Sequence, residues 1–141
     1  MSTGRDLVAV DTNVLLRATL NEAGLEAQST KARQIVASGR WDVLVADVTM
    51  AEFVHALEAH YGFDRPLIAD LVLGVVRLDH VVAAGSIIAA ALTHYVGKPK
   101  LSFDDCFIAE NARAHRAQPL WTFDRKLARQ HDQAVLIDAA A

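Results

Sequence analysis

Cysteine is almost absent from this chain of 141 residues: the single thiol, Cys106, excludes an internal disulfide framework and a multi-cysteine zinc site. Long hydrophobic runs are missing too, and no stretch approaches the roughly 18 apolar residues of a membrane span. Met1 to Asp6 lack the apolar segment of a secretory signal. The expectation is therefore a cytoplasmic protein with no membrane association. Nor is there an excess of basic charge. Fourteen Lys and Arg oppose 17 Asp and Glu, for a net charge of -3 and a pI near 6.0, so any nucleic acid must be held by a local patch. The six histidines (His55, His60, His80, His94, His115, His131) form no HExxH motif and no cluster along the chain.

What is present is apolar patterning. The composition is 52% hydrophobic and 22% charged, which suits a globular chain with a substantial core. The length suits one domain, residues 1–141, with a core over about 7–137. No linker, repeat or low-complexity tract interrupts it beyond the terminal Ala139-Ala140-Ala141. Short apolar runs at Leu7–Val10, Val43–Ala46, Val75–Leu78, Pro119–Thr122 and Ala134–Ile137 read as strands. Segments of helical periodicity lie between them, including 25–37, 49–61, 66–73, 81–95 and 103–116. Gly39, Gly62 and Gly74 read as helix stops. Alternation of apolar strands with helices predicts an α/β fold with a small, mostly parallel sheet of four to five strands, covered on both faces. In such sheets, sites form at the carboxyl ends of the strands.

Four acids fall where such a site would be. Asp11 ends the first strand, and Glu52 lies on the helix after the second. Asp105 opens a later helix, and Asp124 follows the fourth strand. Each one alone also reads as a helix cap, because free N–H groups and the helix dipole favour acids there. Thr49-x-x-Glu52 and Ser102-x-x-Asp105 both have capping-box form. Against this, Asp105 shares a helical stripe with Ile108, Ala109 and Ala112, and Glu52 shares a face with Ala56 and Ala59, so both are expected to face the protein body. Several carboxylates at one edge repel each other unless a hard cation lies among them. The donors are oxygens, so Mg2+ or Mn2+ is the expected metal and a phosphodiester the natural substrate.

Val10–Arg17 (Val-Asp-Thr-Asn-Val-Leu-Leu-Arg), Ala51–Phe53, Asp105–Ala112 (Asp-Cys-Phe-Ile-Ala-Glu-Asn-Ala) and Thr122–Leu127 resemble the PIN-domain nucleases. Within that family the chain looks most like the VapC toxins of bacterial toxin–antitoxin pairs. The likeness runs in order from Leu7 to Ile137. It implies a three-layer α/β/α PIN-like fold and a metal-dependent endoribonuclease that hydrolyses RNA. It also implies a VapB-like antitoxin partner and a homodimer. Carried over by position, Asp11, Glu52, Asp105 and Asp124 are the catalytic, metal-binding acids, with Thr12, Asn13 and Thr122 supporting them. The Asp-x-x-Ile-Ala register selects Asp105 and leaves its neighbour Asp104 as a solvated cap.

Arg17, Arg125, Lys126 and Arg129 fall near the acid edge. Each reads as a phosphate contact or as an ordinary solvated charge, and Arg17 and Lys126 are the preferred RNA-binding pair. Trp41 and Trp121 are expected to pack, the histidines to lie on surfaces or helix faces, and Cys106 to be buried. Two other readings of the same α/β pattern are an RNA-processing PIN nuclease without an antitoxin and a non-catalytic PIN-like binding module. A phosphoacceptor domain of the receiver type fits worse, because it calls for an acid pair at the first strand, where this chain has Asp11-Thr12-Asn13.

Overall fold

A computed structural model describes residues 4–138; Met1 to Thr3 of the N-terminal stretch and the alanine tail 139–141 lie outside the described residues. The chain forms two compact units, one reaching to Gly85 and the other starting at Ser86. Together they contain seven helices and five strands among the described residues, and every strand pair is parallel.

The first unit begins with β1 (Leu7–Ala9), α1 (Thr12–Thr19), α2 (Glu26–Val36), β2 (Asp42–Leu44) and α3 (Asp47–Ala59), and continues with α4 (Arg65–Val76) and β3 (Val81–Val82). The strands lie in the order β1-β2-β3, with Val8 opposite Val43 and Val43 opposite Val81. Sequential strands that pair in parallel need crossovers, and the helices between them supply these. Burial alternates along the strands as a pleat dictates. Val43 is fully buried, whereas Ala9, Leu44 and Val82, in register with one another, are exposed. This row lies at the carboxyl ends of the three strands. The core is built from the helices: Leu15, Met50, Phe53, Leu57, Ile68 and Val72 have no exposed surface. Burying each such side chain contributes about 1.5–3 kcal/mol.

The third strand lies elsewhere than the sequence pattern predicts. Val75 and Val76 end α4, and the strand is Val81–Val82. Gly74 does not stop the helix either. Val72 and Val75 on either side of it are both buried, and that burial outweighs the roughly 1 kcal/mol that glycine costs in a helix. A four-residue apolar run carries too little periodicity to tell a buried helix end from a strand. Gly39 does stop α2: its φ of +79° is a conformation glycine adopts freely, and it turns the chain toward β2. Nearby, the His80 ring bonds through Nε2 to the Val36 carbonyl at 2.6 Å, joining the end of α2 to the approach to β3.

The second unit holds most of α5 (Gly85–Gly97), then α6 (Phe103–Ala114), β4 (Leu120–Thr122), α7 (Arg125–Gln130) and β5 (Ala134–Leu136). β4 and β5 pair in parallel, Leu120 opposite Ala134 and Thr122 opposite Leu136, with α7 as the crossover. Ile88, Leu92, Tyr95, Leu101 and Cys106 are buried, and the Tyr95 and Phe103 rings meet edge to face at 6.1 Å. Cys106 behaves as the small core residue expected of it. Ile108 does not, since it is 50% exposed, so the inner stripe of α6 is carried by Cys106, Ala109 and Glu110 instead.

Candidate functional site

Asp11 sits just past β1 and caps α1. Its backbone is extended, and its Oδ1 accepts the Val14 N–H at 3.2 Å. A side-chain cap of this kind is worth about 1 kcal/mol. It occupies one carboxylate oxygen and leaves the other for a second partner. Thr12, the first residue of α1, donates its hydroxyl to Glu52 Oε2 at 2.7 Å. The structure thereby draws Asp11, Thr12 and Glu52 to the junction of α1 and α3. Glu52 does not belong to a capping box. The N-cap of α3 is Ala46, so Glu52 lies in the second turn, out of reach of the helix's own start. Its bond to Thr12, 40 residues away in sequence, is what orients it.

The second unit treats its two acids differently. Ser102 caps α6 by accepting the Asp105 N–H at 3.2 Å, which places Asp105 at the third helical position, half-buried. Asp104 beside it is exposed. Asp124 caps α7 with Oδ1, which accepts from the N–H groups of Lys126 at 2.8 Å and Leu127 at 3.2 Å. Thr122, two residues earlier, accepts the Asp124 N–H at 2.9 Å and so fixes the turn from β4. Asp11, Asp105 and Asp124 therefore stand at helix starts, and Glu52 one turn further in. The cap reading and the ligand reading hold together, because the caps of Asp11 and Asp124 use only one oxygen each.

The preferred basic residues differ in what surrounds them. Arg17 is engaged inside its own unit: Nε donates to Gln28 at 3.1 Å and a terminal nitrogen pairs with Glu22 at 3.1 Å. Glu22 also accepts the Tyr61 hydroxyl at 3.0 Å. Lys126 is exposed in the first turn of α7. Asn13 is exposed on α1 and helps line an open groove of 280 Å³ with Val14, Arg17, Gln28 and Lys31. Trp121 does not pack as expected, being 61% exposed. Trp41 is half-buried, and the Arg40 guanidinium stands 4.7 Å from its ring centre.

A family model, the PIN domain, matches residues 8–132. The chain belongs to the PIN-domain family. The matched span encloses Asp11, Glu52, Asp105 and Asp124 together with Thr12, Asn13 and Thr122. PIN domains are generally nucleases, and this chain is a member of that nuclease fold family. Comparison with curated proteins returned no match. No helix among the described residues is long and apolar enough to cross a membrane.

PIN domains typically use divalent metals. Each unit carries one pair of the predicted acids, Asp11 with Glu52 and Asp105 with Asp124, and all of them offer carboxylate oxygens. Asp11, Glu52 and Asp124 are exposed, as suits a hard cation that keeps part of its water shell.

One group of side chains escaped sequence reasoning altogether. In the second unit His94 on α5, Glu110 on α6 and His131 just after α7 each bring one ligand-type atom within 4.8 Å of the others. His131 is 1% exposed and Glu110 is 6% exposed, against the expectation that the histidines lie on surfaces. Glu110 receives Arg113 Nε on Oε2 at 2.9 Å and His94 Nε2 on Oε1 at 3.1 Å. Arg113 also reaches Asp132 at 2.6 Å. Burial, and next the neighbouring His94, hold the His131 imidazole below its ordinary pKa. The hydrogen bond from Arg113 holds the Asp132 carboxyl below its own. No spacing motif announces this group, because its members come from three separate elements.

Proposed function

We propose that this PIN-domain protein is a metal-dependent endoribonuclease and the toxin of a VapBC-type pair. In this reading Asp11, Glu52, Asp105 and Asp124 hold Mg2+ or Mn2+. The observation that carries the reading is the family match, whose span contains all four acids. The metal supplies Lewis-acid stabilisation of the charge that develops on a phosphodiester under attack.

The chain's own residues do the positioning. Asp11 is pinned through its cap oxygen, so its second oxygen has a defined direction. Thr12 holds Glu52 by a charge-assisted bond and limits its rotamers. Thr122 fixes the backbone from which Asp124 projects. Lys126, exposed beside Asp124, supplies positive charge for an RNA phosphate. Arg17 contributes from the wall of the groove next to Asp11, sharing its charge with Glu22. The partners under this reading are RNA, a VapB-like antitoxin and a second copy of the chain.

The test is cleavage of total RNA with Mg2+ or EDTA by the unmodified protein and by Asp11→Asn and Asp105→Asn. Asparagine keeps a cap oxygen at position 11, and Ser102 caps α6, so the fold should persist in both while cleavage falls by a hundredfold or more, on the order of 3 kcal/mol in the barrier. Wild-type cleavage by either folded variant, or in EDTA, would refute it. The toxin role is tested separately. Expression should arrest growth, and co-expression of a small upstream reading frame should relieve the arrest. An RNA-processing role without an antitoxin predicts cleavage with no such relief.

A further inference from the structure

We propose that His94, Glu110 and His131 form a second metal site, separate in chemistry from the acids, that takes a borderline transition-metal cation of the zinc class. Two observations point to a ligand here. The first is the convergence of two imidazoles and a carboxylate, each from a different element, with their ligand atoms within 4.8 Å of one another. The second is an orphan. His131 Nε2 is the buried side-chain nitrogen or oxygen without a hydrogen-bond partner among the described residues, and it belongs to a side chain that is fully enclosed. Buried polar atoms are almost always satisfied, so an orphan aimed at two further donors calls for an occupant. Glu110 Oε2 lies 4.0 Å from it, too far for a hydrogen bond.

The donor set selects the metal. Two imidazoles with one carboxylate suit Zn2+, with one coordination position left over, and suit Mg2+ poorly. Tetrahedral zinc with bonds near 2.0–2.1 Å needs ligand atoms about 3.3 Å apart. His94 Nε2 and Glu110 Oε1 already stand 3.1 Å apart, and because the ligand-type atoms of all three residues lie within 4.8 Å of one another, His131 has to close by about 1.5 Å at most. Arg113 stays on Oε2, which leaves Oε1 as the ligand oxygen. Charge is favourable as well: the cation enters beside two carboxylates, Glu110 and Asp132, with one guanidinium, Arg113, already shared between them.

Binding requires each ligating Nε2 to give up its hydrogen: the one that His94 directs at Glu110 Oε1 passes to its own Nδ1 by exchange with solvent, and the one on His131 moves within its ring. His131 Nδ1 accepts the Gln133 N–H at 3.1 Å, so the neutral ring carries its hydrogen on Nε2. A metal on Nε2 needs that hydrogen on Nδ1 instead. Asp132 Oδ1 stands 3.4 Å from Nδ1 and is placed to accept it, giving a carboxylate–histidine–metal relay. The Gln133 bond is exchanged for the Asp132 bond, and the ring stays neutral. The bound ion would tie α5, α6 and the turn after α7 together, so its role is structural.

The experiment is a titration of the EDTA-treated full chain with Co2+ and then Zn2+. Visible absorption reports four-coordinate cobalt, and melting temperature is followed in parallel. The expected result is one equivalent of Co2+ bound below about 10 µM, displacement by Zn2+, and a rise in melting temperature. His94→Gln and His131→Asn should each weaken binding at least tenfold, while Asp11→Asn should keep the cobalt spectrum. No four-coordinate spectrum from the unmodified chain overturns the site, whether or not any variant folds. So does binding unchanged in a folded His94→Gln protein, which would assign the metal to surface histidines. Loss of the spectrum in Asp11→Asn would assign it to the acids and also overturn the proposal.

Discussion

Asp11 with Glu52 in the first unit, and Glu110 with its two histidines in the second, are both gatherings of ligand-type groups, built by opposite means. Asp11 and Glu52 are exposed; a local rule places Asp11, where a strand ends and the acid caps the helix that begins, and the Thr12 hydroxyl orients Glu52. Glu110 and His131 are buried, and tertiary packing places them, with one imidazole nitrogen left without a partner. Exposed carboxylates can be charged with no partner at all and can exchange water for a hard cation. A buried carboxylate has to be neutralised by a neighbour, here Arg113, before it can exist. The first arrangement suits turnover, and the second suits holding a structure together.

That contrast breaks most visibly at Glu110. Glu110→Ala leaves His131 and His94 facing an emptied, buried space and removes the acceptor of Arg113 Nε. A loss of about 3 kcal/mol of stability is expected, from the removal of one partner in a buried ion cluster. Asp11→Ala, which loses only a cap, should cost about 1 kcal/mol. Urea denaturation of the two variants measures both. Equal costs would mean that the buried cluster contributes no more to stability than a surface cap.

Acid should act on the buried cluster next. The groups facing His131 are His94, Glu110, Asp132 and Arg113. Burial lowers the folded-state pKa of His131, so the unfolded chain binds its proton more readily. The contribution of neutral, buried His131 is fully present above the unfolded value near 6.5 and is lost as pH falls through the lower folded value. Melting temperature should therefore drop between pH 7.5 and pH 5.5, and the drop should shrink in His131→Asn. Asp132 works in the same direction at lower pH: its depressed pKa gives stability that is present above 3.8 and lost as pH falls through the folded value. A pH slope identical in the two proteins would show that protonation of His131 is not what the fold resists.

How much of this was legible in sequence follows from the same contrast. β1, β2, β4 and β5, and the acids at their ends, could be placed because an apolar run that stops at a polar residue is a local signal. β3 could not, because Val75-Val76 and Val81-Val82 are equivalent pairs of valines and only burial against the core assigns one to α4 and the other to the sheet. The Thr12–Glu52 bond spans 40 residues, so it left no mark, and Thr49 offered itself as a false capping partner. His94, Glu110 and His131 were invisible for the same reason. Lone histidines and an acid on helices read as solvated until the fold shows what covers them.

A smaller effect sharpens the role of Thr12. Thr12→Val keeps the volume and removes the donor to Glu52. If Glu52 takes part in cleavage, freeing its rotamers should slow RNA hydrolysis about fivefold, the kinetic equivalent of the roughly 1 kcal/mol of one hydrogen bond. Melting temperature should hardly move, because both groups lie near the surface. Steady-state cleavage rates against a fixed RNA, beside a thermal melt, decide it: a stability loss without a rate change would make the bond a fastening between α1 and α3 and nothing more.

The smallest effect expected comes from Asp104, one residue from an acid assigned to the metal. Successive helical positions differ in direction by about 100°, so Asp104 and Asp105 cannot share a role. Asp104 is exposed and Asp105 half-buried. Asp104→Asn should leave Mg2+-dependent cleavage within about twofold of the unmodified protein, well under 1 kcal/mol in the barrier. If instead Asp104→Asn abolished cleavage and Asp105→Asn did not, the register of α6 in the site would be off by one residue. The acid facing the metal would then be the solvent-exposed one, and the half-buried Asp105 would be left as the third residue of a Ser102-capped helix.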